Sequence, residues 1–251
     1  MTAVAPTTRR IPGRVPALLR YAIRSSLPGR RWIGILLPSV AAVLFGLIAR
    51  SVDASEPFAH ISAVALFGLV LPVTSLVVGD AVLGAEIRSG TFAFTWLTPT
   101  PPWQIVLTRW AGGTVIAAGA TAIAFGASAV VAGATDDLGP VIVAGVAGAA
   151  AYVAMFLVFG CVFRRAAVWS LAFVFLGERL LGRALAGIAQ LTPGWEAREV
   201  FIGLRGGPEE LVRQGIPSGW AAVIRLGLIT VVCLAVASNR LKALKLTGAS
   251  D

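Results

Sequence analysis

Four charged residues stand where an apolar, bilayer-length segment would not hold them unaided. Glu178, Arg179 and Arg183 follow the apolar run 166–177, and Arg225 lies inside the run 217–238. A charge at mid-bilayer depth costs at least about 2.5 kcal/mol, so each needs a partner, water or a task. Two readings stay open. Glu178 and Arg225 could form a structural pair, with Arg225 alternatively snorkelling to the outer surface; or Glu178, Arg179 and Arg225 could line a path that grips an anionic or lipid-like cargo. Other chemistry is thin. His60 is the only histidine and falls at the outer start of an apolar segment, too remote to serve Ser128 as the base of a serine nucleophile. Asp136 and Asp137 lack the partner acids of a metal-dependent membrane transferase and read as a tight turn. Cys161 and Cys233 sit within apolar runs as small hydrophobes, and no metal site is expected. The chain has no G-x-x-x-x-G-K-[ST] phosphate loop, so it is expected not to be an enzyme and to hold no cofactor of its own.

The elements that must position these residues follow from composition. The chain has 251 residues, 57% of them hydrophobic and 13% charged, against roughly 25% charged in an ordinary soluble domain. Such a chain has far more apolar surface than one soluble core can hide. Its length allows six or seven helices of about 20 residues each and no sizeable soluble domain. The net charge of +9 is not spread over one face as in proteins that bind nucleic acid; it lies between apolar blocks. The first such block follows about thirty polar, Arg-rich residues without a cleavage site, and is expected to stay in the membrane.

Charge-free runs predict an all-α integral membrane protein with six spans, at about 32–49, 58–79, 110–135, 138–163, 166–187 and 217–238. The fifth must continue through Glu178 and Arg179 to be long enough, since residues 166–177 make only about 18 Å of helix. With the N-terminus inside, 14 of the 21 Lys and Arg residues fall on the inner side, and nine of the 12 Asp and Glu residues fall outside or in the outer half of the fifth span. That asymmetry was not used to choose the spans and obeys the positive-inside rule. It predicts a multi-pass protein of the cell membrane with residues 1–31 and 240–251 cytoplasmic.

Gly112, Gly119, Gly126 and Gly133 recur every seven residues along the third span and predict a close-packed stripe, with Gly145, Gly148 and 149–151 of the fourth span as a matching surface. Ahead of the first span, Leu18, Leu19, Ala22 and Ile23 gather opposite Arg20 and Arg24, the pattern of a helix lying in the membrane interface. Between the fifth and sixth spans, residues 178–213 interleave charges with Leu180, Ile188, Trp195, Phe201 and Leu204. That is too apolar for a free loop and predicts amphipathic helices dipping into the outer leaflet, broken at 193–194 and 206–208.

The inner loop between spans two and three is the most informative stretch. Glu86 and Arg88 precede Gly90 and Thr91. Thr91 can cap a short helix that then presents Phe92, Phe94, Trp96 and Leu97, and Pro99, Pro101 and Pro102 end it. A helix this apolar on the inner face suits either lipid anchoring or docking in a groove on a cytosolic partner. At these residues the chain resembles the permease subunits of ABC exporters of the type-2 family, also called type V exporters. In that family an acidic residue ends the second span, followed by Gly-Thr, a hydrophobic stretch and a Pro-containing turn. Glu86, Gly90, Thr91, Leu97 and Pro99 match in order, and Arg109 stands where a basic residue often opens the third span. Phe92-Ala93 and Pro101-Pro102 depart from the pattern, at places where acidic and basic residues are usual.

The resemblance implies an N-terminal interfacial helix, a cytoplasmic coupling helix and a partly re-entrant outer segment between spans five and six. It also implies a division of labour. Two copies of a separate ATPase subunit, carrying ATP and Mg, would dock at Glu86, Arg88, Gly90, Thr91, Phe94, Trp96, Leu97 and Pro99. A second permease copy or paralogue would complete the membrane part, which would move an amphiphilic or lipid-like substrate. The competing expectation is a six-span proton-linked carrier or membrane enzyme that works without an ATPase.

Overall fold

The computed structural model describes residues 19–20, 23, 32–52, 56–84, 100–163, 165–181, 190–206 and 218–243. Within them every regular element is helical. The helices are α1 (Trp32–Ser51), α2 (57–84), α3 (Pro102–Ala132), α4 (Leu138–Val162), α5 (166–181), α6 (Pro193–Arg205) and α7 (Trp220–Ala243). Five of them, α1, α2, α3, α4 and α7, are long and apolar enough to cross a membrane, which makes this an all-α protein of membrane-spanning type. The apolar part of α5, Ala166–Glu178, is shorter.

Runs free of charge underestimate the helices, because backbone hydrogen bonding continues past the first charged residue. α3 begins at Pro102, with Pro at its first turn, not at 110, so Arg109 lies inside the helix and is buried. α7 runs on through Arg240 and Lys242, basic residues that suit a helix C-terminus, and α2 runs on through Asp80. Two helices contain long π-helical stretches, Ser62–Val70 and Asp80–Gly84 in α2 and Phe173–Leu181 in α5. Wider turns of this kind are rare and concentrate at functional sites.

α4 is the centre of the bundle: two thirds of its apolar window is buried (67%), against 22% for α1 at the periphery. α2, α3, α5, α6 and α7 pack around it. Tyr152, Phe67, Phe125, Phe201, Leu71 and Leu157 fill the core. Leu37, Leu44 and Leu47 of α1 and Ile224, Leu228 and Val231 of α7 are exposed, and such an apolar surface suits contact with lipid.

Between helices in lipid, close approach rather than hydrophobic burial holds the pair together, and the glycines show where it occurs. A Cβ on Gly145 would come within 2.9 Å of Thr121 and Phe125 of α3, and one on Gly148 within 2.7 Å of Leu71 of α2 and of Ala197 of α6. α1 meets α3 where Gly46 faces Ser128. The predicted seven-residue stripe does not act as one surface. Gly126 faces Leu138 and Ile142 of α4, Gly119 has nothing within 4 Å, and Gly133 lies past the helix end as its left-handed cap at φ 78°. Gly112 is buried, but the tight approach to Val82 and Val153 belongs to its neighbour Gly113. The reason is geometric: a straight α-helix drifts about 20° per seven residues, so four such positions fan over about 60°.

Candidate functional site

α6 is the element that concentrates polar chemistry. It lies inside the bundle although its sequence, PGWEAREVFIGLR, is the least apolar of the helices. Its start is fixed by Pro193 in the first turn and its end by Gly206 in the left-handed region at φ 67°. Three contacts set its register against α4, antiparallel to it: Gly194 beside Tyr152, Ala197 against Gly148, and Arg205 on Asp137. Tyr152 is 14 residues along α4, about 21 Å from its start, so α6 begins midway along the bundle and runs back to the end that carries Asp137. α7 packs antiparallel on its other side. There Gly219 lies so close to Gly203 that Gly203 has no space for a side chain, Gly219's own φ of 68° favours glycine, and the Gly219 N–H donates to the Glu199 carbonyl at 3.0 Å. α6 is thus a helix packed between α4 and α7, within the stretch 178–213 that is too apolar for a free loop.

The mid-bundle end of α6 is held by Glu178, from the π-helical part of α5. Its carboxylate accepts a short hydrogen bond from the Tyr152 hydroxyl and another, at 3.3 Å, from the Gly194 N–H at the start of α6, where the helix dipole favours negative charge. One turn on, Arg225 of α7 donates from Nε to Glu196 Oε2 at 2.8 Å. Arg225, for which the sequence leaves open a pair with Glu178 or snorkelling, donates to Glu196, a residue on α6 itself. The reason is register: α6 comes back between α5 and α7 and presents its own acid at the level of Arg225. Arg198 donates to Glu199 at 2.9 Å and lies over the Trp195 ring at 5.0 Å. At the far end of α6, Arg205 bridges Asp137 and, at 3.0 Å, Glu56. Asp137 thus anchors α6 and is more than a turn residue.

Glu196 and Glu199 are wholly buried. Desolvation raises the pKa of both, only partly offset by Arg225 for Glu196 and by Arg198 for Glu199. Beside them opens a cavity of about 240 Å³. One wall is the π-helical turn of α2 (Ala63, Val64, Phe67, Gly68); the other is Glu178 with Thr192, Gly194, Trp195 and Arg198. Both π-helical segments of the upper bundle therefore border one cavity with an apolar wall and a charged one. A second cavity, about 350 Å³, lies between Trp103, Val106 and Leu107 of α3 and Leu234, Ala235, Ser238 and Asn239 of α7, at the opposite end.

Of the residues singled out from sequence, Glu178 and Arg225 belong to this site, and Arg179 is in the last turn of α5. The coupling segment, Glu86, Arg88, Gly90, Thr91, Phe94, Trp96, Leu97 and Pro99, lies outside the described residues, as does most of the interfacial segment, of which Leu19, Arg20 and Ile23 are helical. His60 is exposed and turns its Nδ1 to the Glu56 carbonyl. Among the described residues no cluster of three or more His, Cys, Asp or Glu side chains could hold a metal ion. The sequence reading missed Glu196, Glu199 and Asp137. Glu196 and Glu199 had a signal, since they are three residues apart on one face of a helix that also carries Ala197, Val200, Phe201 and Ile202. No family model matches the chain, and no curated protein matches it either.

Proposed function

We propose that this chain is the transmembrane permease subunit of an ATP-binding-cassette exporter of the type-2 family, with six spans and both termini on the cytoplasmic side of the cell membrane. α5 is then the fifth span, and α6 the re-entrant helix between spans five and six. A separate ATPase subunit, in two copies and carrying ATP and Mg, docks at the segment from Glu86 to Pro99. A second permease, identical or paralogous, completes the pathway. The cargo is amphiphilic or lipid-like.

The observation that carries this reading is α6: a polar helix that starts midway along the bundle, is tied to three neighbours by ion pairs and hydrogen bonds, and borders a cavity with one apolar and one charged wall. A head group and a chain of an amphiphile need such a pair of walls. The absence of a phosphate loop from the sequence agrees with an engine on another chain. The test is purification from the native membrane in mild detergent. The expected result is co-isolation of a phosphate-loop ATPase in equal stoichiometry, lost in Glu86→Lys and Trp96→Asp while membrane insertion is kept. A chain that purifies without an ATPase and still transports would overturn it. That outcome favours the second reading, a proton-linked carrier, which draws on the two buried carboxylates of α6.

A further inference from the structure

Glu196 and Glu199 are one turn apart on α6 and both have 0% exposure. Each has one oxygen engaged, Glu196 Oε2 by Arg225 and Glu199 Oε1 by Arg198. The other two oxygens, Glu196 Oε1 and Glu199 Oε2, are buried and meet no hydrogen-bond donor. An ionised carboxylate with half its acceptors unmet is among the least tolerated buried groups, and a like charge one turn away makes it worse. Each element packed on this stretch contributes one polar or charged group. α7 brings Arg225, α5 brings Glu178, α4 brings Tyr152, and α6 itself brings Arg198. α2 brings Ser62, five residues nearer the Asp137 end than Phe67, which meets Gly194. The Ser62 hydroxyl is likewise buried without a partner. Further along, Arg205 bridges Asp137 and Glu56. Glu196 and Glu199 thus stand one turn apart with one buried, unmet carboxylate oxygen each.

We propose that Glu199 is a proton-binding site: it carries a proton on Oε2 while its Oε1 accepts from Arg198, and Glu196 stays ionised on Arg225. One proton removes the repulsion between two buried carboxylates one turn apart and turns the orphaned Glu199 oxygen into a hydroxyl. Glu199 holds it rather than Glu196, because Arg198 divides itself between Glu199 and the Trp195 ring. Any movement of α6 that hydrates Glu199 releases the proton, so the position of this helix and the pH are linked. The inference stands whether or not an ATPase drives the protein.

The test is infrared spectroscopy of the full chain in lipid nanodiscs. At pH 7 the wild type is expected to show the carbonyl stretch of one protonated carboxylic acid, bleaching at alkaline pH and absent from Glu199→Gln but retained in Glu196→Gln. Should Glu199→Gln fail to fold, the wild-type band and its titration decide alone. Absence of the band at pH 7 overturns the proposal. Its loss in Glu196→Gln with retention in Glu199→Gln overturns the assignment. A missing band together with a melting temperature that rises with Na⁺ makes this a cation site and equally overturns it.

Discussion

At the scale of the residue, the pairing of Arg225 with Glu196 explains how a guanidinium persists in an otherwise apolar helix. Glu196 is wholly buried, whereas Arg225 keeps some exposure. Removing the arginine strands a buried charge, which in such pairs costs about 3 kcal/mol or more. Arg225→Gln is expected to lower the melting temperature in detergent steeply. The double variant Arg225→Gln, Glu196→Gln is expected to recover most of the loss; a double variant no better than the single one would contradict the pairing. The pH dependence has a definite sign. Burial raises Glu199 above its usual 4.5, so the folded state binds its proton more tightly than the unfolded chain. Stability is then greatest below that usual value and falls as pH climbs through the folded value. Melting curves at a series of pH values check this, and Glu199→Gln is expected to flatten that part of the profile.

At the scale of the element, glycines that look alike in sequence play opposite parts. Gly148 is enclosed by Leu71 and Ala197, and Gly119 faces open space. Gly148→Ala is expected to cost about 1–3 kcal/mol by overpacking the α4–α6 contact, whereas Gly119→Ala gains about 0.5–1 kcal/mol of helix propensity. Thermal unfolding of the two variants side by side reads the difference. Equal effects would mean that α6 does not pack where described. The long helices were legible because a charge-free run of bilayer length has one stable outcome in lipid. Their ends were not, since α3 and α7 carry Arg109, Arg240 and Lys242 within helical backbone. That residues 178–213 are no free loop was legible from charges interleaved with apolar residues, and α6 is the helix described within them. The register that brings Glu196 to Arg225 and Arg205 to Asp137 was not, because it depends on contacts between residues 29 and 68 positions apart. π-helical turns leave no periodicity a sequence reader can separate from an α-helix.

At the scale of the whole molecule, the exporter reading takes the excess positive charge as topology. Antiparallel packing puts Glu56, Asp137 and Arg205 at one end of the bundle and the chain ends bearing Arg165, Arg240 and Lys242 at the other. Under the exporter reading the second end is cytoplasmic, and the segment from Glu86 to Pro99 emerges there between α2 and α3. A cavity between α3 and α7 lies at that same end, next to the return of this segment into the membrane at Pro101. Hydrogen bonds and ion pairs tie α6 to Glu178, to Arg225 and, at the opposite end, to Asp137, so under the exporter reading a push at the inner surface reaches the cavity beside Glu178 by moving whole helices.

The most direct measurement is a cross-link from Trp96→Cys, introduced after Cys161 and Cys233 are replaced by serine, in native membranes of known sidedness. The expected result is labelling from the cytoplasmic face and a covalent adduct with an ATPase that carries a phosphate loop, lost when ATPase and chain are separated by detergent before the reaction. Labelling from the outer face, or a cysteine that couples only to lipid while transport continues, would contradict the account.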